Sequence, residues 1–417
     1  MCKRTHLFLR TLAAVVVSAL ASRSLFSAEP AQFPITARGA LGDGTTVNTK
    51  TIQTTIDQCA AAGGGTVVIP EGNFLTGALF LKPNVNLQFS QGAVLLGSKN
   101  IDDFPVRKNQ RFEGHFRDLV AALLNVEKCD HFRLTGPGTI DGNGAAYWSK
   151  PSPNGLPRLC VVRDSNDVAI SGVHFLNSPI WNLHLYNCKN SLVENCRFEI
   201  PENTKGPSTD GTDIDSSQDI TVKGCYYSVD DDCICLKGNR YDGLNQEPPS
   251  LPVQNIHISD STFVRGMGAL TLGTEATIIR DVEMDHCLVR GKMPILRIKL
   301  RPDTAGQDYA NVHVHDITAD GRGPILSLEP SHGTKVSQSA LRKITHVVVE
   351  NITGSVGSFG KFAGGPTVIV SDIALSHINV KAASPAPLNA DQVTDLKLDN
   401  VVVNDEPVSA TQPTTRP

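Results

Sequence analysis

The sequence predicts an all-β protein, a single-stranded right-handed parallel β-helix, that is, a solenoid. Three observations predict it. A short strand-like unit recurs at least nine times, its apolar residues alternate with period two, and one position within it holds Cys, Val or Ile in eight of the nine.

The order of elements follows from the N-terminus. Residues 1–28 begin with Lys3 and Arg4, continue through an apolar run to Leu20 and end on the small pair Ser27-Ala28. That is the pattern of a secretory signal peptide, cut after Ala28, and it implies export to the periplasm or the extracellular space. No later segment approaches the roughly 18 apolar residues of a transmembrane helix. The signal carries four basic and no acidic residues, so the mature chain holds 34 Lys and Arg against 42 Asp and Glu, a net charge near −8. This balance argues against a nucleic-acid partner and against an anionic membrane surface. An anionic ligand would need local basic residues.

Thr51 to Ala62 has helical periodicity and suits a cap on the open end of the solenoid. The following "GGGTVVIPEGNFLTGALFL" already has the rhythm of strand and turn. The repeat is clear from about residue 130: DVAISGVHF at Asp167, NSLVENCRF at Asn190, DITVKGCYY at Asp219, NIHISDSTF at Asn255, DVEMDHCLV at Asp281, NVHVHDITA at Asn311, HVVVENITG at His346, DIALSHINV at Asp372 and DLKLDNVVV at Asp395. The starts are 23 to 36 residues apart, as expected where loops of varying length leave otherwise similar coils. No unit carries a helical pattern, and the period is short for a four-stranded propeller blade. Six residues after their starts lie Cys196, Cys225, Cys287, Val173, Ile317, Ile352, Ile378 and Val401. This reads as one inward column, with the cysteines as small buried residues rather than disulfide partners. Residues 29–405 are expected to form one domain acting as a monomer, and the Pro- and Thr-rich 406–417 a disordered tail.

The chemistry is expected in "STDGTDIDSSQDITVKGCYYSVDDDCICLKGN", residues 208–239, which opens and closes on clustered aspartates. Asp231 and Met267 share an offset on neighbouring coils. Arg297 and Lys299, at i and i+2 of the strand "ILRIKL" one coil further on, face the same way. Carboxylates forced together separate into an acid and a base, and a fixed Arg–Lys pair suits a carboxylate on the ligand. A solvated ion pair is the plainer reading of Arg297 and Lys299, and groove lining or core packing that of Met267. Asp213, Asp215 and Asp230 read as turn aspartates bonded to their own backbone. Trp148 and Trp181 fit groove or core equally well. The histidines are scattered, with no zinc spacing, so no metal is expected.

These residues resemble glycoside hydrolase family 28, the polygalacturonase family of right-handed β-helix enzymes, over most of the mature chain. "GPGTIDGNGAAYW" and "NSPIWNLHLYNC" resemble its middle; its Asn-Thr-Asp-Gly stands as Ser208-Thr209-Asp210-Gly211, its paired aspartates as Asp231-Asp232 and its Arg-Ile-Lys as Arg297-Ile298-Lys299. The resemblance implies inverting hydrolysis without a cofactor: Asp231 as general acid, Asp210 and Asp232 on the attacking water, and Arg297 and Lys299 on a uronate carboxylate, with Met267 lining the same subsite. Inversion implies carboxyl groups roughly 6.5–9.5 Å apart. The substrate implied is an acidic plant-type polysaccharide, pectin. Two positions depart from the pattern: the family's Gly-His-Gly is Gly266-Met267-Gly268, and the motif Asn is Ser208. The departures widen the expected substrates to rhamnogalacturonan-type chains. They also leave two alternatives open, a polysaccharide-binding protein without catalysis and a calcium-dependent pectic lyase. Insertions at 144–157 and 241–251 are expected to wall the groove.

Overall fold

The computed structural model describes residues 31–150, 152–239, 251–301, 304, 306–330, 341–384 and 388–408. The export signal expected over 1–28, residues 241–250 of one expected wall and residues 409–417 of the tail lie outside the described residues. No helix among the described residues is long and apolar enough to cross a membrane.

The chain winds as a single-stranded right-handed parallel β-helix, 55% strand and 7% helix. One flank is a ten-stranded parallel sheet from Leu79–Phe80 to Ser358–Lys361, one strand per coil; the remaining flanks form a second, larger sheet. From Asp308–Gly321 onward two strands of the larger sheet fuse into single strands of up to 15 residues.

Backbone geometry explains the repeat. All nine unit starts, from Asp167 to Asp395, have φ between 53° and 57° except Asn190 at 52°. The fifth position after each start is left-handed again: Gly172, Asn195, Gly224, Asp260, His286, Asp316, Asn351, His377 and Asn400. Gly, Asn and Asp tolerate this region best, which is why they punctuate every unit. Neighbouring corners also bond to one another, Asn255 Nδ2 to Asp219 Oδ1 at 2.6 Å and Asn311 Nδ2 to Asp281 Oδ1 at 2.9 Å. The residue after the second corner points inward, and the predicted Cys, Val and Ile column is buried throughout. All nine cysteines from Cys59 to Cys287 are free and buried. A second inward column stacks Phe175, Phe198, Tyr227 and Phe263, with ring centres 4.8–5.2 Å apart and planes within 9°, the spacing of the coils themselves.

The helix spans Thr49–Ala61 and buries Ile52, Ile56 and Cys59. Two features depart from expectation. Glu406–Pro407, placed by sequence in the tail, pair antiparallel with Val402–Val403 and extend the last coil. Val106–Phe112 and His115–Val120 form an antiparallel hairpin outside the solenoid ladders, a feature the repeat pattern does not announce.

Candidate active site

The ten-stranded sheet forms the floor of the site. Ile214, Leu185 and Leu236 point into the core with no exposure, so strand alternation turns their neighbours outward. Register then sets them in two rows across the coils. His184, Asp213, Cys235, Thr271 and Arg297 make one row; Tyr186, Asp215 and Lys237 make the other, with Lys299 two coils beyond Lys237. Asp210 and Asp232 each stand two residues before one of these strands. Their coils are locked together where the Gly211 amide donates to the Asp232 carbonyl at 3.0 Å.

The structure brings Asp210, Asp231, Asp232, Arg297 and Lys299 together. One carboxylate oxygen from each aspartate lies within 4.8 Å of the other two. That is closer than the separation expected for inversion, because Asp231 and Asp232 are consecutive and Asp210 lies on the neighbouring coil one ladder step away. Asp232 is fully buried and fully engaged: Oδ1 accepts from Thr271 Oγ1 at 2.8 Å and Arg297 Nη1 at 3.1 Å, and Oδ2 from Lys299 Nζ at 2.9 Å. Burial alone would raise its pKa, but Lys299, Arg297 and Lys237 outweigh burial and hold it below the usual carboxylate range. Asp231 has the opposite balance. Burial, then repulsion from Asp210 and Asp232, pushes its pKa up to about 7, and its Oδ1 accepts from the Asp232 amide at 2.9 Å. Adjacent residues thus form an acid and a base.

Met267 sits beside the acid: its amide donates to the Asp231 carbonyl at 2.9 Å, as the shared offset predicts, and its side chain is 50% exposed. It lines the groove rather than the core. Ser208 is half-buried at φ 42°.

The reading of Asp213, Asp215 and Asp230 as self-bonded turn aspartates is corrected. Asp213 and Asp215 lie within a strand and are buried. Lys237, also buried, places its Nζ 3.2 Å from Asp210 Oδ2, 3.4 Å from Asp213 Oδ1 and 4.7 Å from the centre of the Trp181 ring. Burial and the neighbouring Asp210 raise the Asp213 pKa well above the ordinary value, and the two carboxylates share one lysine. Asp215 pairs with Arg111 of the hairpin, Nε to Oδ2 at 2.9 Å, and His184 bridges Asp215 and Arg158 at 3.4 and 2.8 Å. Burial lowers the His184 pKa to about 4, so its ring is neutral, accepting from Arg158 at Nδ1 and donating to Asp215 from Nε2. Asp230 pairs with Arg265 at the rim. Trp181 is buried and stacks on Phe112 of the hairpin at 4.2 Å; Trp148 is half-buried and donates to the Ser178 carbonyl at 3.1 Å. Sequence reasoning missed Lys237, Arg111, Arg158 and His184. The alternation in "LHLY", "TDID" and "ICLK" was the signal that placed His184, Asp213, Asp215 and Lys237 on the outer face; nothing local marked Arg111.

Residues 59–397 match the model of the family described as Glycosyl hydrolases family 28. The chain is 27% identical over 398 residues to a "Probable polygalacturonase" of Vitis vinifera, covering 90% of this chain and 78% of that one. It is also 27% identical to an "Exo-poly-alpha-D-galacturonosidase" of Dickeya chrysanthemi, covering 90% and 71%. Among solved structures it is similar to a hyperthermoactive exopolygalacturonase from Thermotoga maritima, with a TM-score of 0.75 at 21% identity, covering 91% and 94%. An endo-xylogalacturonan hydrolase from Aspergillus tubingensis superposes with a TM-score of 0.71 at 20% identity, covering 91% and 100%. At these identities the structures establish the fold alone.

Proposed function

This chain belongs to the glycosyl hydrolases of family 28, and from that premise we propose that it hydrolyses polygalacturonan-type pectic chains with inversion at the anomeric carbon. The observation that carries this reading is the contrast between Asp231, pushed up to about 7, and Asp232, held ionised by Lys299 and Arg297. Asp231 protonates the leaving glycosidic oxygen. Asp210 and Asp232 hold one water between them and take its proton. Two acceptor oxygens within 4.8 Å are within the reach of a single bridging water, whose hydrogen bonds are about 2.7–2.8 Å each. The close spacing of the aspartates therefore does not require a covalent intermediate. Asp232, engaged at both oxygens, is a poor nucleophile.

Arg297 and Lys299 provide cationic groups on the groove wall for the substrate carboxylate, and the relatives named for polygalacturonan give that carboxylate its source. A calcium-dependent lyase is disfavoured because Lys237, Lys299 and Arg297 already occupy the carboxylates a calcium ion would need. Residues 29–405 form the catalytic domain in this reading, and export through residues 1–28 brings it to its polymer.

Reducing-end release from polygalacturonan, its methyl ester and rhamnogalacturonan tests the assignment. Polygalacturonan is expected to be cleaved fastest and its methyl ester at least about tenfold more slowly, since a hydrogen bond to a charged group contributes roughly 1.5–3 kcal/mol. Absence of product from every uronan, or product that appears only with calcium and carries a double bond, would overturn it.

A further inference from the structure

Four of the scattered histidines, His257, His286, His313 and His315, come together in space. On the outer face of the larger sheet, coil register sets His257 beside Glu283 and Glu283 beside His313. In the next row it sets Asp285 beside His315 and His315 beside Glu350. Residues about 30 apart in sequence become neighbours one ladder step apart, which brings Glu283 to His313 and His315, themselves two residues apart on one strand.

Within this patch, one ligand atom each from Glu283, His313 and His315 lies within 4.8 Å of the other two. His315 Nε2 and Glu283 Oε1 are 3.2 Å apart. Two ligands of one tetrahedral ion, each about 2.0–2.1 Å from it, stand roughly 3.3 Å apart. A second, independent feature is the set of groups behind the ligands. His315 Nδ1 pairs with Asp316 Oδ2 at 2.7 Å, and Asn351 Nδ2 donates to the other oxygen of Asp316 at 3.1 Å. His313 Nε2 pairs with Glu350 Oε1 at 2.7 Å, and Ser376 Oγ donates to Glu350 Oε2 at 3.1 Å. Each imidazole is thus fixed by a carboxylate that is itself fixed, the arrangement that orients metal-binding histidines. The two rings stack with centres 4.1 Å apart. Asp285, next in the patch, has each oxygen taken by a different imidazole, His257 and His286, both at 2.6 Å, which leaves the Glu283, His313 and His315 end for an ion.

We infer that Glu283, His313 and His315 form a binding site for a zinc-class divalent ion, tying two adjacent coils together on a sheet separate from the one that carries the groove. Two nitrogens and one carboxylate select zinc, nickel or copper over calcium, which prefers six to eight oxygens. The ion would replace the contact between His315 Nε2 and Glu283 and leave the outer carboxylates in place.

Isothermal titration of the untagged, chelator-treated full chain with zinc alone tests this, with calcium titrated in parallel and thermal unfolding followed in both. The expected result is one zinc per chain, a higher Tm with zinc and no response to calcium at the same concentration. His313→Gln with His315→Gln should abolish the zinc response. Asp316→Asn, which alters only the group behind His315, should weaken binding about 10–100-fold while the metal-free Tm stays unchanged. This single variant keeps the test open if the double variant fails to fold. No heat and no Tm shift with zinc, an equal response to calcium, or zinc binding undiminished in Asp316→Asn would overturn the site and leave an ion-paired surface patch.

Discussion

Asp231→Asn is expected to lower kcat on polygalacturonan by about 10²–10⁴-fold, the range that positioned general acids contribute, with KM little changed. The amide keeps the shape of the side chain and removes the proton that the leaving oxygen needs. The sign of the pH dependence follows from the raised pKa. Asp231 acts only when protonated, so wild-type kcat/KM falls as pH rises through about 7, and the variant loses that alkaline limb. The two base carboxylates set the acidic limb: Asp232 is held below the usual carboxylate range, whereas burial raises Asp210, so as pH falls Asp210 is protonated first and activity is lost there. Linkage supplies a control. A carboxyl whose folded pKa lies above its unfolded value favours folding at low pH, and that contribution is lost as pH rises through the folded value. Asp231→Asn should therefore unfold at a Tm equal to or above that of wild type at pH 8, which separates loss of chemistry from loss of fold. A variant within tenfold of wild-type kcat would remove Asp231 from the role.

Lys237→Met is expected to cost the most stability of any single change at the site. Lys237 is buried between Asp210 and Asp213, and deleting one partner of a buried pair costs about 3–5 kcal/mol because a charge is left uncompensated. Against the 5–15 kcal/mol of a typical domain, this is a large share, readable as a lower urea midpoint. Activity should fall as well, since Asp210 loses the group that orients it. Asp213→Asn in the Lys237→Met background should recover part of the stability, because it removes one of the two carboxylates that need the lysine. A loss under about 1 kcal/mol, or no coupling between the two positions, would show that the lysine is not the counter-charge described.

The fold was largely legible because the solenoid writes its geometry into the sequence. A left-handed corner every coil favours Asn, Asp or Gly, and an inward column favours small or branched apolar side chains, so Asp219 and Cys225 each carry a readable constraint. The five charged site residues were legible as a set, as two acidic clusters and a basic pair in register. Arg111 was not, because it reaches Asp215 from a hairpin 104 residues away that the repeat does not encode. Asp213 and Lys237 were visible only through strand parity: with Ile214 and Leu236 inward, their polar neighbours must face the groove. The spacing of the aspartates was misjudged for the same reason that the histidine patch was missed. Coil register compresses long sequence separations into single ladder steps, and the linear sequence gives no measure of that distance.

The stereochemistry of hydrolysis tests the account most directly, because the carboxylates lie closer together than the general spacing for inversion. Proton NMR of an α-linked galacturonan, recorded in the first turnovers before mutarotation, identifies the anomer released. Attack by a water held between Asp210 and Asp232 releases the β-anomer first. The α-anomer first would contradict it, and would mean that one of these aspartates attacks the sugar itself.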